Sequence, residues 1–217
     1  MPELFVKDLR RSFGKKRVLD GVTFGARSGE CVGILGGNGS GKSTLLSILA
    51  GILPAERGSF SLTENERSIL PGYIPQGTPL IEELSAQDNL RLWYDRKSLK
   101  NELEGGVLSL LGIPEFLNVP VRKMSGGMKK RLSIGCAVAS HPRALYMDEP
   151  TSALDLSCKE RIYAYMDSFL DDGGLILLVT HDIREIERCS RCLLLSGGRL
   201  MPYVYDGDTK KLAGLLE

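Results

Sequence analysis

The sequence predicts an α/β protein: a largely parallel sheet covered by helices, with antiparallel strands at its N-terminus and a helical insert in its middle. Three observations lead there. Apolar and polar residues alternate through the first two dozen positions, the pattern of half-buried strands. Short apolar runs then alternate with helical periodicity, as parallel strands joined by crossover helices require. Between the first such run and the first such helix lies a glycine-rich loop, "GGNGSGK".

Taken in order, "ELFVKDL" and "RVLDGVTF" read as antiparallel strands joined at "FGKKR". "ECVGIL" is a buried strand that enters the glycine loop, and "KSTLLSILAG" leaves it as a helix with Gly51 as its C-cap. "GSFSL" and "GYIP" are short strands. From Ser85 to about Ala139 the pattern is helical, opening with Ser85 and Asp88 at capping-box spacing. "RALYMDEP", a helix from about Asp155 to Leu170, "LILLVTHD", a short helix and "RCLLLSGGRL" complete the alternation. The second "SGG", Ser196 to Gly198, follows an apolar run with no helix after it and reads as a hairpin turn.

The totals bound the function less than the order does. Lys and Arg number 28 against 27 Asp and Glu, a net charge of +1, so no global field favours nucleic acid or an anionic membrane. Five scattered cysteines and an N-terminus that reads as a strand point to a reducing cytosol. "CSRC", Cys189 to Cys192, has metal or redox spacing but no second pair to complete a site, and reads as structural. No apolar run approaches the ~18 residues that cross a bilayer, so any membrane-spanning part is expected on another chain.

Gly36, Gly41, Lys42 and Ser43 satisfy G-x-x-x-x-G-K-S in the strand-to-helix context that a phosphate-binding loop needs. Glycines permit positive φ and let backbone N–H groups close on phosphate oxygens, and the helix N-terminus adds its dipole. Lys42 is placed to reach β- and γ-phosphates, and Ser43 to ligate Mg²⁺. The strand "ALYM" runs into Asp148, a second Mg²⁺ contact through water, and Glu149, a general base for an attacking water. In "MSGGMKKRLSIG", Ser125 caps a helix whose first turn holds Gly126 and Gly127, a second anion-facing helix end.

These motifs, in this order, resemble the nucleotide-binding domain of the ATP-binding cassette (ABC) family over nearly the whole chain. "GGNGSGKST" resembles its Walker A loop, "ALYMDE" its Walker B strand, "MSGGM" its LSGGQ signature and "SALD" its D-loop. Gln76 matches the Q-loop glutamine, His181 the switch histidine and Phe13 the aromatic that stacks on adenine. The resemblance implies a P-loop NTPase (RecA-like) core with an antiparallel β subdomain, together about residues 1–76 and 141–217, and an inserted α-helical signature subdomain at about 77–140. It implies ATP and Mg²⁺ as ligands. Phe13, Val18, Gly36, Gly37, Asn38, Gly39, Ser40, Gly41, Lys42, Ser43 and Thr44 would bind ATP with Gln76, Asp148 and His181. Ser43, Gln76 and Asp148 would serve the metal; Glu149, His181, Lys42 and Gln76 would serve catalysis.

The resemblance further implies two cassettes, alike or different, dimerised head to tail. Ser125, Gly126, Gly127 and Asp155 of one would then complete the ATP site of the other. Membrane-spanning subunits would receive the motion, with the chain peripheral at the cytoplasmic face of the membrane. The helical stretch after Gln76 would be where those subunits act. Met128 stands where the signature usually has glutamine, Met124 where it has leucine, and Gly37 where the loop often has proline; none removes a catalytic group. The function expected is ATP hydrolysis for a transporter, in the direction of export. The alternative is a soluble ABC ATPase in DNA repair or translation, against which stand the single cassette, the short insert and the near-neutral charge. A small GTPase is excluded by the lack of an NKxD guanine-reading motif.

Overall fold

The computed structural model describes residues 1–216. Strands β1 (Pro2–Phe13) and β2 (Lys16–Arg27) form the expected antiparallel hairpin, and β4 (Arg57–Glu64) pairs β1 on its other edge. With β5 (Arg67–Ser68) they make a four-stranded sheet in the order β2-β1-β4-β5.

The second sheet has six strands in the order β10-β9-β3-β8-β7-β6. Its parallel members are β3 (Cys31–Leu35), β6 (Gly72–Ile74), β7 (Ala144–Asp148), β8 (Leu175–Val179) and β9 (Arg191–Ser196). Strand β10 (Arg199–Tyr203) runs antiparallel to β9, and the turn between them is the second "SGG", as expected.

Successive residues of β7 and β8 serve opposite cores, because side chains alternate across a sheet buried on both faces. Ala144 and Tyr146, with Leu175, Leu177 and Val179, pack toward α1 (Lys42–Leu49) and the antiparallel sheet. Leu145 and Met147, with Ile176 and Leu178, pack toward α5 (Gly126–Ala137) and α6 (Leu156–Asp171).

The helical stretch is less continuous than its pattern implies. It divides into α2 (Ala86–Leu90), α3 (Arg96–Glu104), α4 (Val107–Leu110), two 3₁₀ turns and α5. Asp95 starts α3 afresh by accepting from the N–H groups of Lys97 and Ser98. Gly112, at φ +66°, together with Pro114 and Pro120, prevents propagation toward α5. The Ser85–Asp88 cap is present, with the Asp88 N–H donating to Ser85 Oγ at 3.1 Å.

The "CSRC" cysteines are packing residues. Cys189 ends α7 (Ile183–Arg188), Cys192 lies on β9, and a Cβ built on Gly33 would meet both sulfurs at 2.9 Å. Cys31 joins them, its Sγ 3.7 Å from that of Cys189. Among the described residues no group of His, Cys, Asp or Glu is placed to hold a metal ion by itself, and no helix is long and apolar enough to cross a membrane.

Candidate functional site: a nucleotide cleft

All five residues of β3 are buried, and the chain leaves it through backbone that only glycine adopts easily. Gly36 has φ +148°, and a Cβ there would lie 2.4 Å from the Leu195 carbonyl oxygen and 2.9 Å from Ser40 Oγ. Gly41, at φ +110°, is the N-cap of α1, and a Cβ there would lie 2.6 Å from Val18 Cγ1. No side chain caps the first turn of α1, so its N–H groups remain available to an anion.

Lys42 is 7% exposed and its ammonium donates to Gly36 O at 2.6 Å and Gly37 O at 3.0 Å. Burial lowers its pKa from the ordinary lysine value, while the nearby carboxylates of Glu149 and Asp148 oppose the shift. Ser40 Oγ is buried without a hydrogen-bond partner. A buried hydroxyl left unpaired beside unpaired helix amides suits a ligand rich in oxygen acceptors.

Phe13, Val18, Asn38, Gly39, Gly41, Lys42, Ser43, Thr44, Gln76 and Glu149 line one cavity of about 270 Å³. Phe13 ends β1 half-exposed, with the Arg11 guanidinium 4.9 Å from its ring centroid on one face. Val18 is buried beneath the loop. A larger cavity of about 790 Å³ lies on the helical insert around Arg91, Tyr94 and Leu99, and it gathers no comparable set of acid, base and amide groups.

Asp148 closes β7 at 3% exposure. Burial raises its pKa above the ordinary carboxylate value, against the Ser43 hydroxyl and the charges of Lys42 and Lys130, which pull it down. Ser43, Asp148 and the free amide oxygen of Gln76 are oxygen donors, the chemistry a hard divalent cation takes.

Glu149 follows at φ +46°, a left-handed backbone for a residue with a Cβ. Its N–H is held by Val179 O at 2.9 Å. This turn directs the carboxylate to two partners: Gln76 Nε2 donates to Oε2 at 3.0 Å, and His181 Nε2 lies 3.3 Å from Oε1. The His181 contact lacks the direction of a hydrogen bond, and Nε2 is buried without a partner. Burial, then the charge of Lys42, lowers the His181 pKa, while Glu149 and Asp148 oppose; a neutral ring is favoured near pH 7.

The signature segment does not reach this cavity within its own chain. Ser125 caps α5 by accepting from the Met128 N–H at 3.3 Å, and both it and Gly126 are exposed. Gly127 has a second reason to be glycine: a Cβ there would lie 2.3 Å from Cys158 Sγ. Met128 packs half-buried against the core, and Met124 is buried. Asp155 sits beside Gly127 and is engaged as the N-cap of α6, accepting from the Cys158 N–H at 2.9 Å.

Two polar pairs and one buried lysine escaped the sequence reading. The Thr151 hydroxyl donates to Glu185 at 2.8 Å, both nearly inaccessible; Lys159 pairs with Asp182, next to His181; and Lys130 is buried at 4% exposure. Only Lys130 left a trace in the sequence. Helical spacing puts it on one face with Gly127 and Ile134.

A sequence model of the family described as "ABC transporter" matches residues 19–152. Nod factor export ATP-binding protein I of Ralstonia nicotianae is 32% identical over 211 residues, 91% of this chain and 65% of the relative. The protein of that name from Sinorhizobium fredii is 35% identical over 205 residues, 88% of this chain and 60% of the relative. This chain therefore spans less than two thirds of either relative's length. Among solved structures, an ATP-binding subunit of an ABC transporter superimposes with TM-score 0.82 and 30% identity, covering 98% of this chain and 93% of that one. The dimeric bacterial ABC transporter cassette MJ0796 gives TM-score 0.78 at 26% identity, covering 91% of this chain and 96% of that one. The glycine loop, the carboxylates at the end of β7 and these likenesses together place the chain in the ABC transporter family.

Proposed function

We propose that the chain binds and hydrolyses ATP as the nucleotide-binding subunit of an ABC transporter, and that it drives export through separate membrane-spanning chains. The observation that carries this reading is the placing of Glu149. Its carboxylate is held by Gln76 and faces His181 at the mouth of the phosphate-type loop. The names of the Nod factor exporters support the direction; so does the linearmycin resistance ATP-binding protein LnrL of Bacillus subtilis, 29% identical over 91% of this chain and 68% of its own length. None of these relatives carries a DNA-repair or translation name.

In this reading the loop amides from Gly36 to Gly41 and those of Lys42, Ser43 and Thr44 hold the β- and γ-phosphates, with Asn38 and Gly39 at the rim. Phe13 stacks on adenine with the face that Arg11 leaves uncovered, and Val18 supports it. Ser43, Asp148 and Gln76 would hold Mg²⁺, which would supply positive charge to neutralise the phosphate oxygens. Glu149 takes a proton from the attacking water at a carboxylate oxygen, and Gln76 keeps that carboxylate aimed. His181 presents its unpaired Nε2 to the γ-phosphate.

Ser125, Gly126, Gly127 and Asp155 then close the site of a second cassette, of the same or another sequence. This reading gives a use to an exposed helix end that does not line its own chain's cleft. In this reading about residues 1–76 and 141–217 make up the core and β subdomain, and about 77–140 the helical subdomain. The cassette lies at the cytoplasmic face of the membrane. The test is phosphate release from Mg·ATP by the purified chain: turnover that depends on Glu149 supports the reading, and no turnover above buffer refutes it.

A further inference from the structure

Strand β6 pairs with β7 only as far as Ile74, so the carbonyls of Pro75 and Gln76 stand outside the β-ladder. Both are taken by one side chain from a different layer. The Lys130 ammonium, on the second turn of α5, donates to Pro75 O at 2.8 Å and to Gln76 O at 2.9 Å. Such bonds from a charged donor are shorter and stronger than neutral ones. At 4% exposure water competes little for them.

The Gln76 side chain carries the connection onward to Glu149 at 3.0 Å. One unbroken set of polar contacts therefore runs from the helix that Ser125 caps to the carboxylate facing His181. Leaving a lysine buried is costly unless its donors are satisfied, and here burial does lower its pKa. The two loop carbonyls and the attraction of Asp148 and Glu149 offset that cost.

We infer that Lys130 is a positioning residue for hydrolysis: it fastens α5 to the backbone of Gln76, so that a displacement of the Ser125 end is felt at Glu149. The inference rests on the proposed role of Glu149 and adds a route by which a partner engaging the signature helix governs this chain's own base. Lys130 does not itself line the nucleotide cavity, whereas Gln76, whose carbonyl it holds, does, so its effect is exerted through Gln76.

The experiment is a kinetic cycle on the purified full chain. Lys130→Met keeps the length and apolar stem while removing the donors. It is expected to lower kcat about tenfold, since small misplacements of catalytic groups cost rate steeply. ATP affinity by calorimetry and the thermal midpoint should stay near those of the unaltered chain. Lys130→Arg, which restores a charged donor, should recover most of the rate. Made on Gln76→Ala, Lys130→Met should cause no further fall.

An unchanged kcat in Lys130→Met overturns the inference, and so does an undiminished further loss on Gln76→Ala. If Lys130→Met lowers the thermal midpoint, Lys130→Gln replaces it and is held to the same two criteria. Glu149→Gln separates the two readings. Full turnover in that variant defeats the hydrolysis assignment whatever Lys130 does, whereas its loss beside a normal Lys130→Met defeats only the inference about Lys130.

Discussion

Gln76 Nε2 lies 3.0 Å from Glu149 Oε2, which joins the loop leaving the sheet's edge strand to the residue leaving the strand beside it. The carboxylate is thereby held from one side while it lines the cavity, as the proposed general base would need to be.

Glu149→Gln should bind ATP with little change and lose turnover by about a hundredfold or more, the contribution typical of a positioned base. It should also accumulate an ATP-bound dimer, visible by light scattering. Turnover unaltered from the parent would remove Glu149 from the mechanism.

Lys42→Ala should weaken nucleotide binding about tenfold to a hundredfold, the worth of charge-assisted hydrogen bonds to phosphate. Calorimetry with ATP gives the answer. Equal affinity would mean that the loop is not where phosphates lie.

Ser125→Arg removes the cap of α5, costing about 1 kcal/mol, and places bulk and charge on the exposed helix end. Binding of ATP to the isolated chain should persist, while ATP-driven dimerisation should disappear. A dimer peak that survives the change would refute closure through this segment.

Two glycines of one loop should respond differently to alanine. Gly36→Ala puts a Cβ 2.4 Å from backbone at Leu195, whereas a Cβ at Gly39, φ +72°, meets nothing nearer than Lys16 Nζ at 4.0 Å. The second change costs about 1 kcal/mol of left-handed strain, and the first that plus a clash that backbone must move to relieve. Urea unfolding midpoints should rank Gly39→Ala well above Gly36→Ala.

Asp148→Asn should stabilise the chain when Mg²⁺ is absent. The folded-state pKa of Asp148 is raised, so its ionised form is a cost of folding that is present above that pKa and fades as pH falls through it. Removing the charge at pH 7 should lift the thermal midpoint by about 2 °C. Adding Mg²⁺ with ATP should then stabilise the parent more than the variant; a lower midpoint for the variant without metal would contradict the electrostatic account.

What was legible in the sequence follows from how local each cause is. The glycine loop could be read because left-handed backbone leaves a residue-type trace at Gly36 and Gly41. The strand before Glu149 could be read from its apolar run. The turn that aims Glu149 could not, since φ +46° at a glutamate is imposed by the surrounding sheet and has no residue signature. Helical periodicity from Ser85 onward hid the restarts at Asp95 and the break near Gly112, where caps and glycine override propensity. Lys130 reads as one cation in "KKR"; only the packing of α5 against the end of β6 shows what it holds.

The two thiols over Gly33, those of Cys189 and Cys192, connect the interior of the sheet to the segment behind His181. Cys189 terminates the short helix that starts just after that histidine, and its sulfur rests in the space a larger residue at 33 would fill. A methyl added at Gly33 would therefore press on the sulfur of the residue that ends this helix.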